Sequence, residues 1–286
     1  MKKKSVISNS EGKKDRHVRS RFAVCRLMEI SGPHPVRAWG LLLIAALALH
    51  GCAGILPGPE DDPLARGTIA DLNGRNPELA QFKGLLEIRL ESAGQPSMAG
   101  RAGWAGAVPD RMRIEWLNML GQPILSLAAD GRTITLISHA EQRYRRLAQS
   151  SAALKQLIGI PVTVEDLIAL MRGRPLLPDF TAARESSSGD GGRTILLKDR
   201  WYNTMAALTF SGDQLVSEQL FTPRGEARYR IEWLQWQQVD RFTIPRRILL
   251  TAPTGERLAI SVVRFWPRAS FGPSTFFLER PEFMDE

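Results

Sequence analysis

From Lys83 onward, apolar and polar residues alternate with a period of two through most of the chain, and no other feature limits its fold as tightly. In Gly84-Leu85-Leu86-Glu87-Ile88-Arg89-Leu90-Glu91, Leu86, Ile88 and Leu90 leave on one side while Glu87, Arg89 and Glu91 leave on the other. Arg111-Met112-Arg113-Ile114-Glu115-Trp116 repeats the alternation, and so does Tyr229-Arg230-Ile231-Glu232-Trp233. Strands of this kind cover a core with one face and meet water with the other. Turn signals follow at short intervals: Asp130-Gly131, Ser211-Gly212-Asp213, Pro223-Arg224-Gly225 and Pro253-Thr254-Gly255. Each separates two strand-like runs, so the chain reads as a mainly β antiparallel meander of about eleven strands.

The middle of the chain breaks this period. Ser151 to Ile158 sets Leu154, Leu157 and Ile158 on one helical stripe before Gly159-Ile160-Pro161 interrupts it. Thr163 then stands as an N-cap with Asp166 three residues on, a variant of the capping box. Leu167, Ile168, Leu170 and Met171 follow at helical spacing, with Gly173 placed to end the helix. Two short amphipathic helices need an apolar surface to lie on, and the inner face of the sheet supplies one. Beyond the strands, Phe271 to Glu286 forms a tail in which Phe276 and Phe277 read either as a further strand or as a plug for the inner face.

The N-terminal quarter has a different character. Trp39 to Leu49 is an uncharged apolar run behind Arg37, too short to span a bilayer with ease, and it leads into Leu49-His50-Gly51-Cys52. These four residues resemble a bacterial lipobox, with a branched apolar residue three places before the cysteine and a small one directly before it. The expected organisation is a signal peptide over 1–51, translation starting at Met28, and a lipidated Cys52. A flexible tether over 52–80 and a folded domain over 81–286 follow. Pro57-Gly58-Pro59-Glu60-Asp61-Asp62-Pro63 gives the tether its breakers and charge. Ala53, in place of an aspartate after the cysteine, points to the outer membrane with the domain facing the periplasm.

Removing 1–51 alters the charge argument. Those residues hold ten Lys/Arg and three Asp/Glu, so the formal +8 of the whole chain falls to about +1, with 28 basic and 27 acidic residues left. Nucleic acid is therefore not an expected partner. Once Cys52 is lipidated no cysteine remains beyond it, and His139 is the one histidine left after His17, His34 and His50. His-rich metal sites drop out, no nucleotide or nucleophile-elbow motif occurs, and neither enzyme nor cofactor is expected. His139, at the end of an apparent strand, reads as a turn histidine.

Gly84-Leu85-Leu86-Glu87-Ile88, Arg111-Met112-Arg113-Ile114, Asn118-Met119-Leu120-Gly121, Leu157-Ile158-Gly159-Ile160-Pro161-Val162 and Leu167-Ile168-Ala169-Leu170-Met171-Arg172-Gly173 resemble, in that order and spacing, the LolB family of outer-membrane lipoprotein receptors. The resemblance covers about residues 80–180 on motifs and the later strands by pattern. It implies a curved antiparallel half-barrel whose concave apolar face is closed by short helices. It also implies a monomer that takes acylated proteins from a LolA-like periplasmic carrier and places them in the outer-membrane lipid. The family's membrane-insertion loop maps to Leu117, Met119 and Leu120. Leu120 is the matching position, and Met119 stands where relatives commonly carry proline.

The expected acyl-chain wall consists of inward positions: Leu86, Ile88, Leu90, Trp104, Met112, Ile114, Trp116, Leu167, Leu170 and Met171. Each reads equally as an ordinary core residue, and Leu120 equally as a hairpin residue tucked onto the sheet. Two other functions stay open: a lipid-binding or envelope-sensing lipoprotein without transfer activity, and a structural or assembly lipoprotein using exposed strand edges.

Overall fold

A computed structural model describes residues 60–92, 94, 97–187 and 192–282. The expected signal peptide, Cys52 and the first part of the expected tether lie outside these residues. The first helix, α1 (Pro63–Asn73), begins inside the segment expected to be tether. Asp62 Oδ1 accepts from the Leu64 and Ala65 amides at 2.9 and 3.3 Å, and Pro63 opens the helix with its fixed φ. Ala65, Ile69 and Leu72 recur at helical spacing and are buried. Just ahead of α1, the Asp62 amide donates to the Ala183 carbonyl at 2.8 Å. The charge and prolines that read as coil are thus a helix start, and the domain begins near Asp61.

Six strands follow: β1 (Gln81–Glu91), β2 (Met98–Ala107), β3 (Arg111–Leu117), β4 (Pro123–Asp130), β5 (Thr133–Ser138) and β6 (Arg143–Ala148). The helices α2 (Ser151–Ile158) and α3 (Val164–Met171) interrupt them. Seven more strands complete the sheet: β7 (Ala182–Ser187), β8 (Arg193–Lys198), β9 (Thr204–Ser211), β10 (Gln214–Phe221), β11 (Ala227–Val239), β12 (Phe242–Thr251) and β13 (Arg257–Trp266). All thirteen form one open antiparallel sheet in the order β6-β5-β4-β3-β2-β1-β13-β12-β11-β10-β9-β8-β7. The class is the expected mainly β one, with two strands more than the count read from turns.

The chain meanders from the middle of the sheet to one edge, crosses through α2 and α3, and meanders back from the other edge. Its two arms close at the centre, where Leu86 opposes Val262, Ile88 opposes Ile260 and Leu90 opposes Leu258. The helices start and stop where their sequence says. Ser150 Oγ accepts from the Ala153 amide, and Thr163 and Asp166 form both arms of a capping box. Arg172 caps α3 and Gly173 follows at φ +75°.

The tail takes neither expected role. Pro273–Phe276 is one 3-10 turn packed on β3 and β4, where the Thr275 carbonyl accepts from Arg113 Nη1 at 3.2 Å. Leu278 joins Ala128, Ile137 and Tyr144 in a small cluster apart from the main core. These residues alternate with the core-facing Leu127, Ala129 and Ile134, so the tail lies on the opposite face of the sheet.

Candidate functional site

The inner face of β1–β4 and β13, roofed by α2 and α3, encloses an apolar cavity of about 100 Å³. Nine of the ten residues expected to form a wall line it: Leu86, Ile88, Leu90, Trp104, Met112, Ile114, Trp116, Leu167 and Met171. Leu170 does not, although it is buried in the core. At about 100° per residue, Leu167 and Met171 lie about 40° apart on α3, whereas Leu170 lies about 60° to the far side of Leu167 and about 100° from Met171, at the other edge of the stripe.

Six further residues complete the wall: Leu125, Leu127, Leu154, Ile158, Leu258 and Ile260. The stripe of α2 already marked Leu154 and Ile158, and the alternation Leu258-Ala259-Ile260-Ser261-Val262 marks the last two. What sequence reasoning missed was the partner of each apolar row, because β13 meets β1 only through the closing of the sheet.

Strand β2 lets its neighbours come close. Its inward positions read Gly100, Ala102, Trp104 and Gly106, so three of four are small, and Phe82 and Ile168 fill the space at Gly106. A Cβ at Gly100 would lie 2.3 Å from Trp116 Nε1. The indole edge of Trp116 on β3 therefore sits against the bare Gly100 backbone of its neighbour strand, where any side chain would displace it. Trp104 Nε1 is buried with no hydrogen-bond partner among the described residues.

The roof is held from one side. Arg172, at the end of α3, donates through Nη2 to the Asn76 and Pro77 carbonyls at 3.1 and 3.3 Å. Asn76 returns two bonds through Nδ2, to the carbonyls of Arg172 at 2.8 Å and Thr243 at 2.7 Å. Burial, helped by the charge of Arg174, pulls the Arg172 guanidinium down to about 10. The segment leaving α3 is tied by Glu218 of β10, whose Oε2 accepts from the Leu176 amide at 2.9 Å. Glu218 is fully buried, and burial pushes its carboxyl up to about 8, with nearby Asp166 adding to the rise.

The loop between β3 and β4 presents its side chains to solvent. Met119 and Leu120 are fully or largely exposed, whereas Leu117 at the end of β3 is half-buried. The loop is nevertheless tightly built. Asn118 Oδ1 accepts from the amides of Leu120 and Gln122, both at 2.9 Å, and Asn118 Nδ2 donates to Gln122 Oε1 at 3.1 Å. Gly121 takes φ +78°, which closes the hairpin. Leu120 is therefore held out from the sheet rather than tucked onto it.

His139 is exposed, with Nε2 2.9 Å from Ser126 Oγ, and Ser126 Oγ donates in turn to Glu115. The serine sits between imidazole and carboxylate, so the carboxylate does not orient the imidazole as a nucleophile's base requires. Arg113 pairs with Glu115 at 2.6 Å and completes a structural network on the outer face.

The family model described as outer membrane lipoprotein LolB matches residues 81–265. No curated protein matches the chain by sequence. Among solved structures, a LolA superfamily protein from Nitrosomonas europaea is 13% identical, with TM-score 0.51 over 75% of this chain and 97% of that one. A DUF1329 family protein from Desulfovibrio piger is 12% identical, with TM-score 0.51 over 76% of this chain and 98% of that one. At such identities the likeness is one of fold.

Proposed function

The chain belongs to the LolB family of non-enzymatic outer-membrane lipoprotein receptors, and from that premise we propose that it takes acyl chains from a periplasmic carrier into its cavity and delivers them to the outer membrane. The observation that carries this reading is the pairing of an all-apolar cavity with a rigid, solvent-exposed Leu120. One holds acyl chains and the other opens a way into lipid. In this reading Cys52 carries the lipid anchor, the wall residues including Leu86, Trp104 and Leu258 contact acyl chains, and the carrier is LolA-like.

Partition supplies the driving force. Burying an acyl chain is worth about 0.8 kcal/mol per CH₂, so a wall complementary to several whole chains would never release them. A cavity of about 100 Å³ is smaller than the roughly 150 Å³ needed to hold a benzene. Cargo therefore has to part the roof. Arg172 and Glu218 pin the end of α3, and Ile160 and Val162 bury the α2–α3 turn, so α2, whose Leu157 and Ile158 are only half-buried, is the element that lifts. A cavity that closes again once cargo leaves keeps its grip below that of the bilayer, and hand-off runs downhill.

Replacing Leu120 by Glu tests the proposal. The variant is expected to accept lipoprotein from the carrier and fail to deliver it to vesicles, and delivery at the normal rate would sink the reading. A second reading, a family member that holds lipid without transferring it, is separated from the first by the fate of other lipoproteins. Under that reading, depletion of the protein leaves other lipoproteins where they were; under transfer, they accumulate off the outer membrane.

A further inference from the structure

The loop that carries Leu120 has a counterpart elsewhere in the sheet. Strands β3, β8, β10 and β12 run parallel to one another in the antiparallel order, so the hairpins that follow them emerge at one end. All four share one turn. The first residue donates its amide to the fifth residue's carbonyl, from Asn118, Asp199, Thr222 and Ala252, and the fourth residue's amide returns to the first residue's carbonyl. The fourth residue has positive φ in each: Gly121, Tyr202, Gly225 and Gly255.

Two of the four carry an additional lock. Asp199 Oδ1 accepts from the amides of Trp201 and Asn203 at 2.8 and 2.9 Å, and Asn203 Nδ2 donates to Asp199 Oδ2 at 3.0 Å. Asn118 makes the same two backbone bonds and a side-chain pair of the opposite sense, its Nδ2 donating to Gln122 Oε1. Thr222 makes one such bond, to the Glu226 amide, and Ala252 has no side-chain acceptor. The two locked hairpins are the two with large apolar tips, and Trp201 occupies the place that Leu120 occupies in the first.

Trp201 is 69% exposed, and the guanidinium of Arg200 lies 5.0 Å from its ring. A tryptophan held out from a protein by a rigid turn matches the boundary between acyl chains and headgroups, where an indole meets apolar and polar surroundings at once. Beside the indole, Arg200 supplies the charge that an anionic headgroup would meet. The central pairs of the four hairpins carry Arg200 and Arg224 and no carboxylate, while Asp199, Glu226 and Glu256 stand at their bases and Glu141 lies in the β5–β6 turn at the same end.

We propose that Trp201, with Arg200 beside it, is a second membrane-contacting tip that seats in the headgroup layer of an anionic phospholipid bilayer. Together with Leu120 it fixes the tilt of the domain on the membrane, so that the shared end of the sheet faces lipid. The inference rests on the reading of that end as membrane-facing but assigns a residue that reading leaves unused. Two tips on separate hairpins resist rotation, which a single inserted leucine does not.

The test uses the full lipid-anchored chain in vesicles of phosphatidylethanolamine and phosphatidylglycerol, with a photoreactive benzophenone amino acid placed at 201, 120 or 213. These positions lie in turns held by backbone bonds, and circular dichroism matching the parent checks the fold. Lipid adducts are expected at 201 and 120 and not at 213. Adducts at 120 without adducts at 201 overturn the second tip while sparing the first. Adducts at 201 without adducts at 120 uphold the second tip and remove the Leu120 reading. Adducts at neither position, or equally at 213, overturn both. Arg200→Glu is expected to lower the yield at 201 severalfold in these vesicles and not in uncharged phosphatidylcholine; an unchanged yield in both removes the headgroup contact.

Discussion

Beneath β8 to β12 the inner face of the sheet is filled, whereas beneath β1 to β4 and β13 the same kind of face encloses a cavity. Ile195, Leu197, Leu208, Ile231, Ile244 and Leu250 are all at 0–1% exposure, with Phe210, Tyr229 and Trp233 among them. The segment leaving α3 closes over them through Leu176 and the Glu218 bond. On the other side Ile88, Leu167 and Ile260 each retain 7%, and the side chains of β1–β4 and β13 leave room that α2 and α3 do not fill. Both halves follow one alternation, so alternation does not make a binding site. The volume facing across the gap does.

Equal truncations in the two halves should have unequal costs. Leu208→Ala removes packing on every side and is expected to cost about 4–5 kcal/mol. Leu258→Ala, bordering space already empty, should lie near the low end of the range, about 2–3 kcal/mol. Urea unfolding of both variants measures the difference, and equal costs would break the contrast.

Enlargement should reverse the asymmetry. Leu208→Phe forces a full core apart and is expected to cost about 1–3 kcal/mol, whereas Leu258→Phe grows into the cavity and costs about 1 kcal/mol or less. The same Leu258→Phe protein should lose uptake of a hydrophobic probe, read by fluorescence titration.

The buried acid of the filled half sharpens the comparison further. Glu218 is protonated in the fold up to about pH 8, while the unfolded chain ionises it near the ordinary value of 4.5. The unfolded state thus binds fewer protons between these values, so stability is fully present below the lower one and falls as pH rises through the window. Glu218→Gln should flatten that decline, seen by comparing unfolding midpoints at pH 5 and pH 8. The smallest effect on stability is expected at the exposed tips. Leu120→Glu and Trp201→Glu should each shift unfolding by about 0.5 kcal/mol or less, although the first is expected to abolish delivery.

Much of the cavity half was legible from spacing alone. Leu86, Ile88 and Leu90 stand on one face because a strand admits nothing else, and Thr163 with Asp166 starts α3 because orphan amides need acceptors. Helix α1 went unread, since Asp62-Pro63 serves equally as a turn and as a helix start until Ile69 and Leu72 have somewhere to pack. Leu170 was counted with Leu167 and Met171 because helical spacing alone does not say which edge of an apolar stripe borders the void. Leu258 and Ile260 were absent from the expected wall because their opposition to Leu90 and Ile88 spans most of the chain.

The amino-acid sequence by itself determined most of the strands, their turns and the two capped central helices. Each of these depends on neighbours within a few residues. Only the tertiary structure decided that the cavity lies under one half of the sheet, that the tail packs on the opposite face, and that Leu120 and Trp201 crown equivalent hairpins at one end. Those outcomes depend on volumes and directions summed across strands far apart in sequence, which no local period encodes.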